Sequence, residues 1–169
     1  LPLVADGECI GVMNISNKEE GGQFSEDDVH LLLTLASQAA VIINHATLYR
    51  LAITDGLTQL YIRRYFRQRL HDEIIRSRRY NHPMSLILAD IDHFKRINDT
   101  YGHVQGDAVL VQTAKLLSKS IRETDTPCRY GGEEFGIILP ETSAESAAAL
   151  AEHVRRRIEE YEFPGLRGG

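Results

Sequence analysis

The stretch Thr126-Pro127-Cys128-Arg129-Tyr130-Gly131-Gly132-Glu133-Glu134-Phe135-Gly136-Ile137-Ile138-Leu139 holds two strand-like runs, Thr126–Tyr130 and Glu133–Leu139, about a pair of glycines. Gly131-Gly132 is a two-residue hairpin signal, so the runs read as neighbouring antiparallel strands. Glu133 and Glu134 follow directly, and two adjacent carboxylates repel. On a strand they point to opposite faces, so only one can share a site on a given face. Upstream, Met84-Ser85-Leu86-Ile87-Leu88-Ala89 is a short apolar run that reads as a buried central strand, and it leads into Asp90-Ile91-Asp92. A lone Asp at such a strand end is usually a turn or cap residue. Laid beside the hairpin, however, Asp90 and Glu133 converge on one face. Two carboxylates and a backbone oxygen suit a hard cation such as Mg²⁺, and Gly131 and Gly132 leave room for a phosphate or base at the backbone.

Helical stripes flank these strands. Ile62, Phe66, Leu70 and Ile74 lie four apart, which predicts a helix over Ile62–Tyr80 ended by Asn81-His82-Pro83. Leu110, Ala114, Leu117 and Ile121 mark another helix. Thr142-x-x-Glu145 is expected to cap a last one, striped by Ala147, Leu150, Ala151, Val154 and Ile158. From Met84 the order is strand, helix, strand, strand, helix. A ferredoxin-like palm needs one more strand, expected to begin at Phe163-Pro164-Gly165-Leu166-Arg167-Gly168-Gly169, where the sequence stops. The fold class is therefore α+β, with an antiparallel central sheet and flanking helices.

The first fifty residues read differently. Asp6-Gly7 and Glu19-Glu20-Gly21-Gly22 are turn signals around the strand-like run Cys9–Ile15. Ser25-x-x-Asp28 has capping-box spacing. Val29, Leu32, Ala36, Ala39, Ile43 and Ala46 follow in a heptad-like stripe. That stripe fits a long signalling helix packed on its own domain, paired with a twin, or both. The absence of an initiator Met and the lone hairpin suggest a piece of a longer chain.

The 169 residues carry 43% hydrophobic and 25% charged side chains and a formal charge of −5. That is a globular composition, and the acidic balance argues against a DNA, RNA or anionic-membrane binder. The apolar run around Leu31–Ile43 is broken by Thr34, Ser37 and Gln38, so no membrane segment is expected. Cys9 and Cys128 are far apart and fit neither a zinc site nor a disulfide framework, which points to the cytoplasm.

A second polar cluster runs His93-Phe94-Lys95-Arg96-Ile97-Asn98-Asp99-Thr100-Tyr101-Gly102-His103, then Gly106-Asp107. Asn98 and Asp107 have the donors and acceptors to read a guanine edge, and Lys95 and Arg96 can hold phosphates. The same residues would also make a polar loop with ordinary turn chemistry. Spacing alone leaves both readings open.

These residues together resemble the GGDEF family. The signature is Arg129-Tyr130-Gly131-Gly132-Glu133-Glu134-Phe135, with Glu at its third position. Asp55-Gly56-Leu57-Thr58-x-Leu60 and Arg63-Arg64-x-Phe66 stand upstream of it, and Asp90-Ile91-Asp92-His93-Phe94-Lys95-x-Ile97-Asn98-Asp99-x-x-Gly102-His103-x-x-Gly106-Asp107 lies between. The resemblance runs from Leu51 to the end, which sets the expected domains at 51–169 and, for an upstream sensor fragment, 1–50. It implies a palm fold shared with nucleotide cyclases. It also implies a diguanylate cyclase, which condenses two GTP into cyclic di-GMP and two pyrophosphates as a homodimer. Asp90, the Ile91 carbonyl and Glu133 are similar to the ligands of Mg²⁺ (or Mn²⁺), with Glu134 assisting. Asn98 and Asp107 match the guanine contacts, and His103 lies in the nucleotide pocket. Lys95 and Arg129 match phosphate-side groups, with Gly131 and Gly132 beside them, while His93 and Phe94 would offer backbone N–H groups. Relatives that accept ATP tend to carry Ser at the position of Asp107, and a carboxylate there favours GTP. Arg122-x-x-Asp125 resembles the family's inhibitory product site; read without the family it is a helix-end ion pair. Residues 1–50 are similar to the closing strands and exit helix of a GAF domain.

Two other functions compete with an active cyclase. One is a non-catalytic receptor for cyclic di-GMP or GTP, whose acidic signature would ordinarily be damaged. The other is a dimerising relay, which would need none of the carboxylates.

Overall fold

The computed structural model describes residues 1–18 and 21–166. The turn signal at Glu19-Glu20 and the chain end Arg167-Gly168-Gly169 lie outside the described residues. The chain divides into two compact units, Leu1–Ala52 and the segment from Ile53 onward.

In the first unit, β1 (Pro2–Ala5) and β2 (Glu8–Val12) pair antiparallel, with Ala5 opposite Glu8. The two residues between them, Asp6 and Gly7, both have positive φ, 51° and 83°. That is the backbone a tight hairpin needs to follow strand twist. Helix α1 (Glu26–Ile53) begins with a reciprocal capping box. Ser25 N donates to Asp28 Oδ2 at 2.8 Å, and Asp28 N donates to Ser25 Oγ at 3.2 Å. Lys18 Nζ, 2.6 Å from the same carboxylate, and these Ser25 bonds pull the Asp28 carboxyl down to about 2. Ala36 and Ala40 are buried, while Val29, Ile43, Leu31, Ile42 and Leu51 are exposed. The buried face thus follows Ala36 and Ala40 and takes in only part of the expected heptad stripe. α1 is long and apolar enough to cross a bilayer by length and composition alone. One such helix is weak evidence of a span, and Asn44 on it donates to Asp6 of the hairpin at 2.9 Å.

The second unit is built on a four-stranded sheet in the order β3-β5-β6-β4. The strands are β3 (Tyr61–Ile62), β4 (Met84–Asp90), β5 (Thr126–Arg129) and β6 (Glu134–Pro140). β5, β6 and β4 run antiparallel, and β3 adds a short parallel edge to β5, so the sheet is mixed. Four helices flank it: α2 (Arg63–Tyr80), α3 (Phe94–Tyr101), α4 (His103–Ser118) and α5 (Ala144–Glu159). Leu110, Leu117, Phe135, Ile137 and Leu139 are almost wholly buried in one core. A second core joins Phe66, Cys128 and Ile138. Gly136 belongs there for a steric reason: a Cβ at that position would lie 2.8 Å from Phe66 Cζ. Burial pushes the Cys128 thiol up to about 12.

Several expectations are corrected. Among the described residues β4 lies at an edge of the sheet, not at its centre, and Leu88 on it is 64% exposed. An apolar run reads the same whether one or two strands flank it. Ile62 belongs to β3 and precedes α2. The last helix is capped by Ser143, whose Oγ accepts from Ser146 N at 3.3 Å. Thr142 instead donates its hydroxyl to the Pro140 carbonyl and its N–H to the Pro83 carbonyl, after Glu141 turns the chain with φ 50°. No strand begins at Phe163 within the described residues. Pro164-Gly165 makes a turn closed by Leu166 N on the Phe163 carbonyl at 3.1 Å, and Phe163 and Leu166 pack on the core.

Candidate active site

The register between β4 and β6 builds the site. It runs from Met84 opposite Pro140 to Asp90 opposite Glu134, so the last residue of β4 meets the first of β6. One residue further, Ile91 N donates to the Glu133 carbonyl at 3.3 Å. The hairpin loop is wider than two residues. Tyr130 N donates to the Glu134 carbonyl at 2.8 Å, which leaves Gly131, Gly132 and Glu133 as a three-residue tip. Glu133 therefore sits on the tip rather than on a strand, and the Ile91 bond, not strand alternation, ties it to the end of β4. Asp90 is exposed and Glu133 half-buried. Glu134 folds back over Gly131, where any Cβ would collide with its carboxylate. At Gly132 a Cβ would meet nothing.

Among the described residues no group of three or more His, Cys, Asp or Glu side chains is gathered to hold a metal by itself. Asp90, Glu133 and the Ile91 carbonyl are all hard oxygen donors, and that set fits Mg²⁺ or Mn²⁺ completed by water or phosphate. The Ile91 carbonyl accepts from Phe94 N at 3.3 Å, so the expected offer of the Phe94 N–H to a phosphate meets an existing partner. Phe94's ring is buried in the core.

The polar cluster is helical rather than a loop. His93 turns out of β4 with φ 58° and leads into α3. That conformation is uncommon for a residue with a Cβ and marks a place where local geometry is constrained. Lys95 and Asn98 are three apart on α3, and His103 and Asp107 are four apart on α4, so each pair shares a helix face. Gly106 brings the two helices together. A Cβ there would overlap Asn98 Oδ1 and lie 3.0 Å from Asn98 Cγ and 3.3 Å from Phe94 Cζ. Asn98 thus lies against the turn of α4 that carries Asp107.

Arg129, read above as a phosphate-side group, binds both the tip and Asp55. Its Nε and Nη2 donate to the Gly132 carbonyl at 3.1 and 2.9 Å, and its Nη1 donates to Asp55 at 3.2 and 3.3 Å. Every guanidinium nitrogen already has a protein acceptor. Burial alone would raise the Asp55 carboxyl, but two hydrogen bonds from Thr58 and the Arg129 charge outweigh it and hold it below the ordinary range. Asp55 opens the Asp55-Gly56-Leu57-Thr58 motif. Its Asp-x-x-Thr spacing was the available signal, since a short acidic side chain accepts from a backbone N–H a few residues on. Behind the tip, Tyr130 is covered by Arg63 at 4.5 Å and meets Phe66 edge-on at 6.0 Å.

Arg122 and Asp125 sit at the turn after α4. Asp125 is buried, and its Oδ2 accepts from Arg122 N at 2.8 Å. Its Oδ1 is buried and has no hydrogen-bond partner among the described residues, while the Arg122 side chain is exposed.

Residues 52–168 match the family described as "Diguanylate cyclase, GGDEF domain". The chain belongs to that family. Residues 1–44 match the GAF domain family, so a GAF segment precedes the GGDEF domain. A curated relative, "Diguanylate cyclase A" of Treponema denticola, is 39% identical over 95% of this chain, which spans 44% of that protein. The chain thus spans less than half the length of this relative. Among solved structures, the coiled coil and GGDEF domain of DgcB from Caulobacter crescentus, in complex with c-di-GMP, superposes with TM-score 0.68. It is 30% identical, over 77% of this chain and 68% of that one. Diguanylate cyclase SiaD from Pseudomonas aeruginosa, in complex with its activator SiaC, gives TM-score 0.67 at 36% identity, over 85% of this chain and 54% of that one. The GGDEF domain here is therefore an α+β fold like theirs, preceded in the chain by a long helix.

Proposed function

We propose that the full-length protein is a cytoplasmic diguanylate cyclase that condenses two GTP into cyclic di-GMP with release of two pyrophosphates. The observation that carries the reading is the β4–β6 register, which sets Asp90 opposite Glu134 and ties Ile91 to Glu133. Asp90, Glu133 and the Ile91 carbonyl would hold Mg²⁺ or Mn²⁺. When bound, the metal lowers the pKa of the attacking hydroxyl and offsets charge on the phosphoryl group. Glu134 lies beside these donors and assists them. Lys95, exposed on the first turn of α3, faces the phosphates, and Asn98 and Asp107 read the guanine, with His103 one turn before Asp107. The 3′-hydroxyl of one GTP attacks the α-phosphate of the other. One domain holds one GTP, so two domains face each other in a homodimer. Arg122, exposed at the turn after α4, and Asp125 bind the product and inhibit. The domain boundary falls near Leu51.

Incubating the full-length protein with GTP and Mg²⁺, then separating products by chromatography, tests the reading. Cyclic di-GMP and pyrophosphate are expected, and Glu133→Gln should abolish both while leaving product binding at Arg122 and dimerisation intact. Retained synthesis in that variant would sink the metal assignment. No synthesis by the wild type, with tight binding of added cyclic di-GMP, would make the protein a receptor.

A further inference from the structure

The chemistry proposed above leaves Asp55 unused, yet its carboxylate is one of the most firmly held in the domain. Oδ1 accepts from Thr58 N at 2.8 Å, from Thr58 Oγ1 at 2.7 Å and from Arg129 Nη1 at 3.2 Å. The backbone of the same turn closes on itself, with Asp55 N donating to the Leu60 carbonyl at 2.7 Å and Gln59 N to the Asp55 carbonyl at 2.9 Å. Across the Arg129 guanidinium lies the Gly132 carbonyl, which takes two of its N–H groups. We propose that Asp55 is a positioning residue for the reaction: through Arg129 it fixes the Gly132 carbonyl, and with it the tip that carries Glu133. The inference rests on the reading of Glu133 as a metal ligand.

The tip needs such a hold. Gly131 and Gly132 lend it no side chain, and the last ladder bonds are those of Tyr130 N and Gly131 N to the Glu134 carbonyl, at 2.8 and 3.3 Å. Beyond them the tip is gripped from two sides. Ile91 N draws the Glu133 carbonyl toward β4, and Arg129 draws the Gly132 carbonyl toward β5. A planar guanidinium can serve a carboxylate and a carbonyl on different edges at once, which an ammonium cannot. Asp55 keeps that fork in place. Its loss would leave a half-buried cation free to turn toward solvent or toward the triphosphate, and the tip would lose its β5-side anchor. Side-chain exposures of 20% for Arg129 and 24% for Asp55 place the pair where solvent screens it only in part.

The test uses the full-length protein with Asp55→Asn, Arg129→Lys, the double variant, and Thr58→Val as a control. Asp55→Asn keeps an oxygen for Thr58 and removes the charge that orients Arg129. Thr58→Val removes one hydrogen bond to Asp55 and leaves the pair. Asp55→Asn should lower kcat about 10- to 100-fold, the scale of an ångström-sized misplacement, with KM for GTP changed less than about threefold. The double variant should be no worse than Arg129→Lys alone, because both substitutions cut the same link. Thr58→Val should keep kcat despite a comparable fall in Tm. Amide exchange read without GTP gives a second measure: the Gly131 and Ile91 amides should exchange faster in Asp55→Asn and Arg129→Lys but not in Thr58→Val. Additive losses, or a kcat that follows Tm equally in Asp55→Asn and Thr58→Val, would overturn the proposal. If the wild type makes no cyclic product, the functional reading fails by itself, and the exchange at Gly131 and Ile91 still decides whether the link holds the tip.

Discussion

Replacing Gly106 by Ala separates nucleotide recognition from folding. Gly106 is buried in α4 and has an ordinary helical backbone, so the new methyl group meets no conformational penalty. Ala is the better helix former by about 1 kcal/mol. Against that, the added Cβ would overlap Asn98 Oδ1 and lie 3.3 Å from Phe94 Cζ. The atom in the way is the end of a two-torsion side chain, and swinging it aside is cheaper than moving backbone. The steric cost falls at or below the lower end of the ~1–3 kcal/mol typical of overpacking, and the propensity gain offsets most of it. Tm should therefore move by no more than about 3 °C. The displaced group, however, is the amide assigned to the guanine edge. Losing one or two hydrogen bonds of about 1 kcal/mol each raises KM for GTP roughly 5- to 30-fold. Pyrophosphate release against GTP concentration and a thermal melt give the two numbers. Asn98→Ala should raise KM by a similar factor, and adding Gly106→Ala to it should do nothing further. An unchanged KM in Gly106→Ala, or additive effects in the double variant, would refute the argument that this close approach places Asn98.

Gly136→Ala should cost about 1–3 kcal/mol in urea unfolding, because its Cβ would lie 2.8 Å from the Phe66 ring in a closed core, and Phe66→Leu in the same chain should recover part of the loss. Iodoacetamide should label exposed Cys9 in the native protein and reach Cys128, whose thiol burial pushes up to about 12, only after unfolding; native labelling of both would contradict the packing around β5. The Asp55 carboxyl lies below its ordinary 3.8 in the folded chain, so its stabilisation is complete above that value and is lost as pH falls through the folded one. The Tm gap between wild type and Asp55→Asn should accordingly be constant near neutrality and narrow below about pH 4; a gap that ignores pH would show that charge is not what holds Arg129.

What the sequence disclosed follows from how local each signal is. Asp6-Gly7 and Ser25-x-x-Asp28 are complete within four residues, and both formed as read, the first as a tight turn and the second as a reciprocal cap. The stripe through Phe66 and Leu70 marks one face, and Phe66 is indeed core. Long-range facts were hidden. The two-residue strand β3 has no periodicity to detect. The edge position of β4 depends on which neighbours arrive, not on its own residues. Helix α3 is polar along most of its length, so the composition that suggested a loop could not reveal it. A pair of glycines suits a loop of two residues or of three, and the choice is made by Tyr130 pairing with Glu134. Asp55 and Arg129 are 74 positions apart, and only the fold shows that they meet.

The position of the proposed metal donors at the far end of a ladder makes them sensitive to register. Pairing of β4 with β6 covers seven residues and ends at Asp90 opposite Glu134. Because side chains alternate, a slip of one residue would turn the inner face of β6 outward and carry Glu133 away from Ile91. An apolar strand specifies its register poorly by side-chain type alone, since Ile137, Ile138 and Leu139 can each fill a core position. Gly136 removes that ambiguity. It is the residue of β6 that leaves space for the Phe66 ring, and either neighbour at that place, Phe135 or Ile137, would put a large side chain where Phe66 already is. The same glycine that lets the second core close thus fixes which residue of β6 faces Asp90, so a defect at Gly136 should reach the site through register before it reaches it through unfolding.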